Sequence, residues 1–137
     1  MRTFLNKAMK FSIVVHSAPY SSEGAHTALR FCRTLLDEGH QIYRLFFFRD
    51  GVHNLNRLAV VGQDEQNLQS GWDRLIREHQ LDAVACVTSA LKRGIIDQQE
   101  ASRYDKPAYS LSESASIAGL GQLVDAVQQS DRVVNFG

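Results

Sequence analysis

Two short runs of β-branched and aromatic residues, Phe11 to His16 (FSIVVH) and Ile42 to Phe48 (IYRLFFF), flank a single helical pattern, and this arrangement limits the folds open to the chain. Both runs are apolar almost throughout instead of alternating, which is how strands covered on both faces read. Between them Ala25, Ala28, Leu29, Cys32, Leu35 and Leu36 recur at helical spacing, starting from Ser22, with Glu23 in the first turn and Gly39 as the stop signal. Strand, helix and strand with short connections favour a right-handed parallel unit. Cys32 falls on the apolar face of that helix and reads as a small buried hydrophobe.

The rest of the chain repeats the alternation. Arg49 to Asn56 is rich in turn formers, and Arg57 to Gln63 reads as a loop. Leu68, Trp72, Leu75 and Ile76 mark one face of a second helix, predicted to start near Asp64 and run to His79. Ala83 to Val87 is the third predicted strand, and a short helix follows over Thr88 to Arg93, with Thr88 and Ser89 available as caps. Asp97 and Glu100 have the spacing of a capping box for a helix through about Tyr104. Ala108 to Leu111 is a candidate fourth strand. Ile117, Leu120, Leu123, Val124 and Val127 mark a last helix, and Arg132 to Phe136 a last strand. The expected architecture is a three-layer α/β/α single domain over residues 9–137, with a mostly parallel sheet of about five strands, preceded by a flexible extension over residues 1–8.

Charge narrows the function classes. The chain has 15 basic and 15 acidic residues among 137, so it lacks the basic excess with which nucleic-acid-binding modules neutralise phosphates. No apolar run approaches the length of a membrane span, and the N-terminus lacks the apolar core of a secretory signal. The two cysteines, Cys32 and Cys86, form neither a CxxC pair nor a zinc-finger pattern with histidines. A cytosolic protein with reduced thiols and no metal or other cofactor is expected.

Ligands and reactive groups in parallel sheets collect beyond the carboxyl ends of the strands. Cys86 occupies such an end, in the stretch DAVACVTSALKRGIID from Asp82 to Asp97, where a buried strand gives way to a helix. Amide N–H groups and the positive end of a helix dipole favour a thiolate there. His16, Arg49, Asp50 and His53 stand at two other strand ends and approach Cys86 if the strands are neighbours. A lone strand-end cysteine is nevertheless more often structural than catalytic. A Cys-His hydrolase finds no recognisable orienting residue or oxyanion donor in the pattern. Gly119-x-Gly121 lacks the third glycine of a dinucleotide fingerprint and reads as a helix start.

The segment from Cys86 to Asp97 resembles the cysteine segment of the TusD/DsrE sulfur-relay family. Phe46 to Val52 with Asn54 and Asn56, the Gly39-His40 helix end, and the ending from Leu120-Gly121 through Asp131 to Phe136 extend the resemblance over about Met9 to Phe136. It implies a DsrE-like fold and a sulfurtransferase whose Cys86 accepts sulfane sulfur as a persulfide and passes it on. In the TusD branch the implied donor is TusA-like, the acceptor TusE-like, and the end use 2-thiolation of the tRNA wobble uridine. The resemblance further implies a hetero-oligomer with TusB-like and TusC-like subunits, without direct contact to nucleic acid. Its DsrE branch implies sulfur oxidation instead. A non-catalytic assembly subunit of the same fold is the rival from another class, and a nucleotide-binding α/β module ranks last.

Overall fold

The computed structural model describes residues 7–137, so most of the expected extension over residues 1–8 lies outside the described residues; Lys7 and Ala8 are exposed and irregular. Five strands, β1 (Lys10–Val15), β2 (Gln41–Phe47), β3 (Ala83–Cys86), β4 (Ser116–Ala118) and β5 (Arg132–Phe136), form one sheet in the order β4-β3-β2-β1-β5. Every pairing is parallel. The helices are α1 (Gly24–Asp37), α2 (Leu68–His79), α3 (Val87–Lys92), α4 (Gln98–Arg103) and α5 (Gly121–Gln129), with a 3-10 turn at Arg49–Leu55.

From β1 to β4 the chain steps along the sheet in one direction, and α5 then carries it back past β1 to β5. Right-handed crossovers that advance one way leave their helices on one face, and a returning crossover leaves its helix on the other. The core divides accordingly, because successive strand residues point to opposite faces. Ile13, Val15, Leu45, Phe47, Ala83 and Ala85 pack with Leu29 and Cys32 of α1 and Trp72 and Ile76 of α2. Val14, Phe46, Val84 and Cys86 point the other way, where Leu123 of α5 packs on them.

A register shift between Phe11 and Ser12 leaves Tyr43 as an extra residue in β2. Such a bulge changes the phase of the strand. Tyr43 and Arg44 consequently both reach Asp125 of α5, at 2.6 Å and 2.9 Å, and Arg44 also pairs with Asp82 at 2.8 Å and donates to the Gln122 carbonyl. This basic side chain is almost fully buried, and it pins α5 to the sheet.

Several expectations change. Leu111 is buried, but it forms only an antiparallel bridge with Asn56, so Ala108 to Leu111 is not a sheet strand. The fourth strand lies in the Ser-rich stretch that follows, and Ile117 belongs to it instead of to the last helix. The second helix starts at Leu68, where Asn67 accepts the Ser70 amide at 3.0 Å, four residues after Asp64. The turn formers after β2 wind into the 3-10 turn, held by buried Asn54, which donates to the carbonyls of Ser17 and Gly51 and accepts from the Trp72 indole. Asp97 caps α4 as expected, accepting the Glu100 amide at 2.8 Å.

Candidate functional site

Cys86 is the last residue of β3, paired with Ala118 of β4, and α3 begins at the next residue. The helix thus starts before Thr88 and Ser89, and neither supplies a side-chain cap. Ser89 does other work. Its hydroxyl accepts the Arg49 amide at 2.9 Å, and its carbonyl accepts from Arg93 at 3.2 Å. Arg93 also pairs with Asp50 at 2.8 Å. These bonds tie α3 to the 3-10 turn after β2.

The turn itself is tightly constrained. Arg49 has a left-handed φ of 52°, unusual for a side chain with a Cβ. Gly51 lies so close to β1 that an added Cβ would fall 1.9 Å from the Val15 carbonyl oxygen, so only glycine fits there. Phe48 bonds the same carbonyl through its amide at 3.0 Å.

The sheet order makes β3, β2 and β1 neighbours and so brings their carboxyl ends together, which was the condition for a shared site. Phe48 packs on the Cys86 cluster. The His16 ring meets Phe48 edge-on at 5.7 Å, and the Arg49 guanidinium lies over it at 5.4 Å. His16 directs Nε2 to Asn135 at 3.1 Å. His53 stands in the same 3-10 turn as Asp50. The Arg93 hydrogen bond holds the Asp50 carboxyl below the usual carboxylate range.

Cys86 is 2% exposed, in a shell of Val14, Phe46 and Val84 closed by Phe48, Ala118 and Leu123. Cys32 is fully buried against the other face, and burial pushes its thiol up to about 12. Among the described residues, no three His, Cys, Asp or Glu side chains cluster as a metal site would need. No helix among them is long and apolar enough to cross a membrane.

Phe48 was read only as part of the β2 run, and Ser89 only as a candidate helix cap. Parity along β2 carries the signal for Phe48, since residues 44, 46 and 48 share a face once the bulge is passed. Ser89 carries none, because its partner is a backbone amide distant in sequence.

The chain matches the model of the DsrE/DsrF-like family over residues 9–136. It belongs to the DsrE/DsrF-like family. A TusD sulfurtransferase homologue of Pseudomonas aeruginosa is 45% identical over 129 residues, covering 94% of this chain and 98% of that protein. A TusD sulfurtransferase of Salmonella newport is 41% identical, covering 93% of this chain and all of its own length. A protein of Allochromatium vinosum bearing the DsrE sulfurtransferase name is 42% identical over 94% of this chain and 99% of its own. The crystal structure of the YchN protein from E. coli superposes with a TM-score of 0.75 at 24% identity, over 93% of this chain and 99% of its own, and shares the fold. The DsrE/DsrF-like match spans every strand from β1 to β5, so Cys86 and the Arg49 turn both lie inside it.

Proposed function

We propose that Cys86 accepts sulfane sulfur as a persulfide and relays it to a partner protein, with 2-thiolation of the tRNA wobble uridine as the end use. The sulfurtransferase activity is the one that the relatives at 41%, 42% and 45% identity carry in their names, and this chain shares it. The observation that carries the assignment to Cys86 is its place at the carboxyl end of β3, in an all-parallel sheet, where such folds concentrate their chemistry. The only other cysteine is locked in the opposite core.

The step balances without an external oxidant. The Cys86 thiolate attacks the terminal sulfur of a donor persulfide; the bond from Sγ to that sulfur forms, the donor S–S bond breaks, and the donor leaves as thiolate. The reverse roles pass the sulfur on. A TusA-like donor and a TusE-like acceptor fit this sequence of steps in the cytoplasm, and the chain's zero net charge suits a subunit that leaves tRNA to others. Leu120, Val124 and Val127 form an exposed apolar row along α5, of the kind that subunit contacts cover, and TusB-like and TusC-like chains are the proposed occupants. Sulfur oxidation, implied by the DsrE branch of the resemblance, is the alternative end use, and one relative carries the DsrE name.

The second reading, a non-catalytic assembly subunit, is favoured by one observation, the 2% exposure of Cys86. Cells whose only copy is the Cys86→Ser form separate the readings. Loss of wobble-uridine 2-thiolation, measured by nucleoside mass spectrometry, is the expected result. Normal thiolation would favour the assembly reading or sulfur oxidation as the end use.

A further inference from the structure

The helix that begins beside Cys86 ends at a groove. Past Lys92 the chain turns through Gly94, whose φ of 73° needs glycine, and Ile95 anchors the turn in the core. Ser110 then staples the returning strand of chain, accepting the Ile96 amide on its hydroxyl at 3.0 Å and donating from its own amide to the Ile96 carbonyl. On the far side, α4 is followed by a left-handed Asp105, and the Lys106 amide closes back on the Ala101 carbonyl at 2.8 Å. Both walls are therefore built by hydrogen-bonded turns.

The groove between them has a volume of about 740 Å³, within the ordinary range for ligand sites. Leu91, Ile96, Tyr104 and Pro107 supply an apolar lining, and the charged lining groups are Lys92 and Lys106, with no acid among them. Neither lysine forms an ion pair among the described residues. The neighbouring arginines do: Arg93 pairs with Asp50 and Arg103 with Glu100. The charged groups of the lining itself are therefore all basic, set around an apolar floor. An apolar side chain flanked by carboxylates satisfies both features, whereas a neutral apolar peptide satisfies one.

We propose that this groove docks an acidic, apolar-anchored peptide segment of the protein that exchanges sulfur with Cys86. The proposal rests on the reading that Cys86 carries sulfur. Leu91 lies five residues beyond Cys86, about 8 Å along the chain at a helical rise of 1.5 Å per residue. A partner held there by one segment keeps its thiol at high local concentration near the strand end, which raises the transfer rate without a contact at the thiol itself.

Two probes test it: the peptide acetyl-Glu-Glu-Leu-Leu-Glu-Glu-Gly-Gly-Cys-amide and its counterpart with lysine for every glutamate. With serine replacing their cysteine, the acidic probe shifts the amide NMR signals of Leu91, Ile96 and Lys106, and the basic one does not. With cysteine present, the acidic probe takes sulfur from persulfidated protein roughly tenfold faster than the basic one at low salt, a preference that fades as salt screens the lysines. In the double variant Lys92→Glu, Lys106→Glu the preference reverses. Equal binding of both probes, shifts confined to another surface, self-association through the groove in place of peptide binding, or an acidic preference that survives in the double variant would each overturn the proposal. Transfer to dithiothreitol from the unaltered protein is the separate check on Cys86: its failure removes the persulfide reading, while the thiol-free probes still report on the groove.

Discussion

Cys86 and Cys32 are both buried, yet their settings differ. Cys32 sits with Ala25, Ala28 and Leu29 on the buried face of α1, and burial pushes its thiol up to about 12. Its neutral form is favoured in the folded state, so this contribution to stability is fully present below the ordinary thiol value of 9.0 and is lost as pH climbs from there through about 12. Replacing it by alanine should flatten the alkaline limb of a stability profile measured by urea unfolding; an unchanged limb would mean that another group titrates. At Gly51 the constraint is steric. Gly51→Ala places a methyl group against the Val15 carbonyl and should cost about 3 kcal/mol of unfolding free energy, at the upper end of overpacking costs. Gly119→Ala, with open space around it, is the matched control. Of the residues around the site, Cys86, His16, Arg49 and Asp50 were legible as strand-end groups from order alone. Which of them touch was not, because that depends on Phe48 packing against both His16 and the Cys86 cluster and on Ser89 accepting a distant amide.

At the scale of elements, α5 is the exposed member of the architecture. It covers its face of the sheet alone, and Arg44 holds it through Asp125 and the Gln122 carbonyl. Hydrogen bonds from Tyr43 and then Arg44 hold the Asp125 carboxyl below its ordinary value. A depressed carboxylate stabilises the fold above its unfolded pKa and loses that contribution as pH falls through the folded one. Acid should therefore loosen α5 first, with its amides exchanging faster than those of α1 in hydrogen exchange below about pH 4, where free carboxylates begin to protonate. In Asp125→Asn the difference between the two helices should no longer depend on pH over that range; a persistent dependence would assign it elsewhere. The bulge at Tyr43 explains why this clamp was hidden in the sequence: regular alternation would send Tyr43 and Arg44 to opposite faces. The fourth strand was hidden for another reason. Buried Leu111 made its own segment look like a strand, whereas Ser116–Ala118 is a short, partly exposed edge that earns its pairing from β3 and not from propensity.

For the molecule as a whole, strand-helix alternation made the α/β class, the parallel sheet and the first two crossovers readable, since apolar runs and helical spacing report burial directly. Strand order was not readable, because it depends on where the returning helix lands. That landing gives the molecule its two unlike faces: one under α1 and α2, the other under α5 alone, with Cys86 on the thinner side. Apolar residues left outward on α5 fit a chain that completes its surface in an assembly, and the unaltered protein should sediment as a monomer alone and shift to a larger species with TusB-like and TusC-like partners. A Val124→Glu change in the exposed row should abolish that shift without loss of thermal stability. The central claim is that the covered thiol carries sulfur. The most direct measurement is intact-protein and peptide mass spectrometry after incubation with a persulfide donor. The account predicts a reductant-reversible gain of one sulfur atom on the peptide containing Cys86, absent in Cys86→Ser and retained in Cys32→Ser. An adduct on Cys32, or one that persists in Cys86→Ser, would contradict it.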